Sequence, residues 1–177
     1  MGEPRARAPV KLIAGLLAGS DALLEQAAVT LSERYGPIDA RSTPTEWTVS
    51  TYYRDEMGST IRRQFLSFAR LVAADELRAI KLATNDLEDR WRAVSGRQVN
   101  IDPGYLAATK LVLASTKDAA HRIYLGDSIS AEVTLLFSNG SFEPHMHTYP
   151  DYGAAEAVTF FNSVRAIYLQ QLRAKPG

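Results

Sequence analysis

Four polar residues, Lys81, Thr84, Asn85 and Glu88, recur at i, i+3, i+4 and i+7, so a helix carries them on one face. That face sets an ammonium, an amide and a carboxylate side by side, groups able to hold an anion or move a proton. The same stripe also reads as a solvated flank with partial charge pairing. Asn100 and Asp102 share one side of a strand, opposite Val99 and Ile101. Asp102 either faces a pocket at the strand end, with Gly104 letting backbone approach a ligand, or caps a turn. Ser115-Thr116-Lys117-Asp118 is a polar loop. Lys117 and Arg122 could clamp an anion beside it, Arg122 through its bidentate fork, or pair with Asp118 and Glu132 instead. Arg63 and Arg97, inside strands, are further cations. Glu56, Glu88, Asp102, Glu132 and Asp151 could include a general acid–base pair. The candidate ligand-binding set is therefore Arg63, Lys81, Asn85, Glu88, Asp102, Lys117, Asp118, Arg122, Glu132 and Asp151; no residue is assigned a catalytic role.

The histidines allow a sharper expectation. A two-residue turn at Gly126-Asp127 sets His121 opposite Glu132, and one at Asn139-Gly140 sets His147 opposite Glu132 and His145 opposite Thr134. All three histidines then share a sheet face with Glu132. Imidazole plus carboxylate suits zinc or another divalent ion at His121, Glu132, His145 and His147. Pro144 disturbs that register, and a histidine simply hydrogen-bonded to Glu132 is the alternative.

Other chemistries find little support. Ser115, His121 and Asp118 form a triad only in letters, without a GxSxG elbow. Gly15 and Gly19 have the spacing of a phosphate-binding P-loop, but Ser20-Asp21 follows where Lys-Ser or Lys-Thr is needed. Thr116-Lys117-Asp118 lacks the spacer of a guanine-reading motif. The absence of Cys excludes disulfides, thiol nucleophiles and Cys-ligated metals.

The elements that must position these groups follow from periodicity. Val10 to Leu17 reads as a buried strand. Ser20 and Asp21 cap a helix over 21–35, which Gly36-Pro37 ends. Ile38 to Ser42 is a short strand. Tyr52-Tyr53, a tight loop from Arg54 to Gly58, and a long strand from Thr60 to Val72 come next. A helix is expected over 75–94 and a strand from Arg97 to Asp102. Asp102-Pro103-Gly104-Tyr105 fits a type II turn. Strands at Lys110–Ser115, His121–Leu125 and Ser128–Ser138, a return strand from Phe142, and a helix over 154–172 complete the pass. The fold class is α+β: a β-α-β-β-α-β, ferredoxin-like start, then an antiparallel meander and a C-terminal helix. Residues 1–9 read as a flexible tail and 10–177 as one domain.

The 177 residues carry 20 Lys plus Arg against 20 Asp plus Glu. Zero net charge makes nucleic acid an improbable partner. No apolar run approaches the about 20 residues that cross a bilayer, so no membrane partner is expected. Arg5 and Arg7 ahead of Leu12 to Leu17 resemble a signal peptide, but Lys11 interrupts the run and a buried strand explains the letters better. The expected compartment is the cytoplasm.

Longer motifs carry a resemblance. Tyr52-Tyr53 with Glu56-Met57-Gly58, Lys81 with Thr84-Asn85 and Glu88, Val99 to Tyr105, Ser115 with Lys117-Asp118, His121 to Leu125, Ala131-Glu132 with Thr134-Leu135, and Thr148-Tyr149-Pro150-Asp151-Tyr152 recur together in one prokaryotic family. Over residues 10–170 the chain resembles the domain of unknown function 4416. That resemblance implies a cytosolic single-domain protein without an established activity; some members carry a GTP-binding label. The family usually has Pro-Trp just before the Thr148 to Tyr152 motif, where this chain has His145-Met146-His147.

Two functions stay open. One is a mixed-charge pocket for a small anionic or nucleotide-like ligand, with or without catalysis. The other is a non-catalytic interaction module whose polar motif residues form a partner surface or a salt-bridge network. Convergence of Lys81, Lys117, Arg122 and Glu132 on one cavity favours the first.

Overall fold

The computed structural model describes residues 2–3, 6–49, 53–58 and 60–174. The expected tail over 1–9 therefore falls partly outside the described residues, as does Tyr52.

Strand β1 (Val10–Ala18) is buried at every residue. Its letters run apolar without alternation because both sides of the strand are covered. Leu12, Ala14 and Leu16 pack towards helix α1 (Asp21–Tyr35), while Ile13 packs on the opposite side with Phe161 and Val164 of the last helix. Lys11 also points to that second side, fully buried and bonded to Asp39 and Gln171. Ser20 caps α1 through its side chain, and Gly36, at φ +97°, ends it as the sequence predicts.

Strands β2 (Ile38–Arg41) and β3 (Thr45–Glu46), a helical turn α2 (Arg54–Met57) and the long strand β4 (Arg62–Val72) follow. Helix α3 covers Leu77–Glu88, with 3₁₀ turns at Ala74–Glu76 and Asp89–Trp91. It is shorter than the expected 75–94. Gly96, at φ +123°, instead folds a small hairpin of β5 (Arg92–Ala93) and β6 (Gly96–Arg97), which takes Arg97 out of the following strand.

Strand β7 runs over Val99–Leu106, straight through Pro103. This overturns the type II turn. Gly104 has no positive φ; its missing side chain matters because a Cβ would overlap the Val112 carbonyl oxygen. Pro103 is tolerated because β7 meets β8 (Lys110–Ser115) only from Gly104 onward. Beyond lie β9 (Ile123–Gly126), β10 (Ile129–Ser138), β11 (Ser141–Pro144) and helix α4 (Ala155–Ala174).

The main sheet has the order β11-β10-β8-β7-β1-β4-β2, with β3 added on β4 and β9 on β10, and every pairing is antiparallel. Helices α1 and α3 share one face; α4 covers the other. The molecule is thus a single α+β domain, and the strand order β7-β1-β4-β2 agrees with a ferredoxin-like start.

The Asn139-Gly140 turn closes as expected, both residues at positive φ and Ser138 opposite Ser141. The other hairpin shifts by one residue. Gly126, Asp127 and Ser128 all have positive φ, Gly126 pairs with Ile129 around Asp127-Ser128, and β9 begins only at Ile123. His121 therefore lies before the ladder rather than in it.

Candidate functional site

Strand β1 pairs with β7 along the whole of Val99–Leu106, whereas β8 pairs with β7 only at Gly104, Tyr105 and Leu106. Among the described residues, no strand pairs with the outer side of the first half of β7. The polar stripe of α3 occupies that edge. Glu88 Oε1 accepts the Ile101 N–H at 2.8 Å, and Lys81 Nζ donates to the Ile101 carbonyl at 2.8 Å. Two side chains thus replace the ladder bonds a neighbouring strand would supply, which is why Lys81 and Glu88 are buried rather than solvated; Thr84, buried between them, donates to the Lys81 carbonyl.

A cleft of about 620 Å³ opens where the two strands part. Register places its floor. Arg63, Leu17 and Asn100 form one row across β4, β1 and β7, and Phe65, Gly15 and Asp102 form the next. Glu132 of β10 stands beside Leu113 of β8. Tyr149, Asp151 and Tyr152, before α4, and Trp47, Val49 and Tyr53 add further walls.

Arg63 is buried and donates from Nε and Nη2 to Asp151, with Asp102 3.7 Å from Nη1. Its guanidinium lies over the rings of Phe65 and Tyr152, 5.2 Å from each centroid. Gly15 makes this possible: a Cβ there would overlap the Tyr152 hydroxyl and come within 2.9 Å of Arg63 Nη1. Burial pushes the Tyr152 hydroxyl well above its ordinary range, against the opposing pull of Arg63. Arg97 bridges Glu56 at 3.0 Å, and Glu88 and Asn100 at 3.4 Å. Burial raises the Glu88 carboxyl above the usual carboxylate range, and Lys81 only partly offsets it.

Glu132 forms the far wall. Its Oε2 accepts from Arg122 Nε at 2.8 Å and meets His121 Nε2 at 2.9 Å. Arg122 also donates to the Lys117 carbonyl and, at 2.5 Å, to the Tyr149 hydroxyl. Burial, then the charge of Glu132, pushes Tyr149 up to about 12, while Arg122 pulls the other way.

Of the residues singled out from sequence, Arg63, Lys81, Asn85, Glu88, Asp102, Lys117, Glu132 and Asp151 line this one cleft. Arg122 stands behind the wall, tied to Glu132, Lys117 and Tyr149. Asp118 is exposed and lines nothing in the cleft. The walls Trp47, Tyr149 and Tyr152 were missed as site residues. Tyr149 and Tyr152 stood inside a recognisable motif; nothing around Trp47 marks it in the sequence.

The histidines do gather, but not around a common point. His147 stacks on His121, centroids 4.1 Å apart and planes at 5°. His145 donates from Nε2 to the Val133 carbonyl at 2.6 Å and accepts the His147 N–H at Nδ1. Among the described residues, no three His, Asp or Glu side chains are grouped to hold a metal ion. Past Pro144 the chain leaves the ladder, and Thr148 rather than a strand bonds the Thr134 carbonyl, so the extrapolated register ends there.

Residues 8–168 match the family described as a domain of unknown function (DUF4416). The chain belongs to that family. No curated protein and no solved structure matches it significantly. The match spans every cleft residue named above. Among the described residues, no helix is long and apolar enough to cross a membrane.

What the cleft can do chemically is set by its unsatisfied groups. Seven buried side-chain polar atoms in the described residues have no hydrogen-bond partner. Five belong to residues lining this cleft: Trp47 Nε1, Arg63 Nη1, Asn100 Nδ2, Glu132 Oε1 and Tyr152 Oη.

Proposed function

We propose that the cleft binds a small anionic or nucleotide-like molecule. The concentration of partnerless buried polar atoms in the residues that line it carries this reading. Such groups are costly unless something supplies their bonds, and folded proteins keep few of them. The volume suits a metabolite of nucleotide size. Trp47, Tyr53 and Tyr149 offer flat apolar surface for a ring, and Arg63 and Asn100 offer N–H groups to oxygen acceptors. The lining charges balance, so selectivity comes from placement rather than from a net positive field.

The experiment is a thermal-shift and calorimetric screen against nucleoside mono- and diphosphates, phosphate and pyrophosphate. A saturable rise in melting temperature, lost in Asn100→Ala, is expected. No shift with any probe overturns the reading.

A second reading, the non-catalytic interaction module, has an observation of its own. Ile123 and Tyr124, consecutive on β9, are 71% and 69% exposed, and Leu125 beside them is 37% exposed. Binding of a protein partner that is abolished by Tyr124→Ser and untouched by Asn100→Ala would support it.

A further inference from the structure

Glu132 differs from the other partnerless groups of the cleft. Trp47 Nε1, Arg63 Nη1 and Asn100 Nδ2 can only donate, and the Tyr152 hydroxyl can do either. Glu132 Oε1 is a carboxylate oxygen and is there to accept. Its twin Oε2 takes both Arg122 and His121, and the Tyr149 hydroxyl also bonds the carboxylate, so the side chain is held by three groups and cannot turn without breaking these contacts. Glu132 is 4% exposed, and among the described residues Oε1 has no hydrogen-bond partner. A carboxylate oxygen in that position asks for a hydrogen-bond donor, N–H or O–H, from whatever fills the cleft, and on a planar ring an exocyclic amino group supplies one. It repels a carbonyl or phosphate oxygen placed there.

From this placement, and resting on the ligand-binding reading above, we infer that the molecule bound is a nucleotide-like one whose ring carries an exocyclic amino group. That amino group points to Glu132, and the oxygen acceptors of the ligand point to Arg63 and Asn100. His121 and Arg122 are positioning residues: they hold Glu132 and do not touch the ligand. A polyanion without a donor, such as pyrophosphate, answers only the donor half of the cleft.

The test uses two pairs of probes that differ by amino against oxo at one ring position: adenosine against inosine monophosphate, and cytidine against uridine monophosphate. Calorimetry on the full chain is expected to show the amino member of at least one pair binding about tenfold or more tightly, the size of one well-formed base contact. In Glu132→Gln, whose amide can present either oxygen or N–H, that preference collapses towards equality. Glu132→Asp keeps the charge but draws the carboxylate back by one methylene, and is expected to weaken the amino member selectively. Should neither variant fold, the wild-type pairs decide the matter alone. Equal affinities within both pairs, or an undiminished preference in Glu132→Gln, overturn the inference while leaving ligand binding intact. Failure of every nucleotide to bind overturns the inference, and failure of phosphate and pyrophosphate as well removes the ligand-binding reading.

Discussion

Arg122 Nε lies 2.8 Å from Glu132 Oε2, and the rest of the guanidinium reaches the Lys117 carbonyl and the Tyr149 hydroxyl. One side chain therefore joins the loop after β8, strand β10 and the segment before α4. Removing one member of a buried ion pair leaves the other charge uncompensated. Arg122→Ala is expected to lower stability by about 3 kcal/mol in urea denaturation. Arg122→Lys should recover little, because an ammonium cannot fork to three acceptors. A midpoint unchanged in Arg122→Ala would remove the tie.

Gly15 faces Tyr152 and Arg63 with no room for a methyl group. Gly15→Ala should destabilise by about 1–3 kcal/mol, the usual range for overpacking. Tyr152 would be displaced from its stack on Phe161, where the ring planes lie at 2°. The near-ultraviolet tyrosine signal should change along with stability. Wild-type stability and an unaltered signal would contradict this packing.

Glu88 carries a pH signature. Burial raises its carboxyl above the ordinary value of 4.5. The folded state then holds a proton that the unfolded state releases, so Glu88 contributes most below 4.5, and that contribution is lost as pH rises through the raised value. Stability of Glu88→Gln relative to the wild type should accordingly increase with pH above 4.5. A difference that stays flat with pH, or falls, would show that Glu88 is not held this way.

Lys11 is fully buried on β1, its ammonium bonded to Asp39 and, at 2.8 Å, to Gln171 of α4. Asp39 in turn accepts from Ser67 at 2.6 Å. Lys11→Met leaves that carboxylate without its cation and should cost about 3 kcal/mol. The double variant Lys11→Met, Asp39→Ser should lose less than the two single losses added together, since the pair acts as a unit. Simple additivity in the four denaturation curves would refute the coupling.

Where local chemistry suffices, the residues were legible in the chain alone. The apolar run of β1, the capped helix α1, the amphipathic α4 and the Asn139-Gly140 hairpin depend on neighbours within a few positions. The letters also marked the polar stripe of α3, Arg63, Asp102, Glu132 and Asp151 as candidates, because charges inside otherwise apolar elements demand partners. Contacts between distant segments decided the rest. Pro103-Gly104 carries the signature of a turn, yet β7 runs through it. The β1 backbone pairs along its full length, and Val112 approaches too closely for any side chain at position 104. The hairpin after β9 turns at Asp127-Ser128 rather than Gly126-Asp127, and an irregularity between Ile129 and Ser130 then skips Leu125; together they bring Arg122 as well as His121 to Glu132. Above all, nothing local says that β7 and β8 part after three residue pairs. That opening makes the cleft, and it turns a stripe that would otherwise be a solvated flank into buried partners for the Ile101 backbone. A side chain's type limits what it can bond; which backbone group is left waiting for it is settled only when strands far apart in the chain come together.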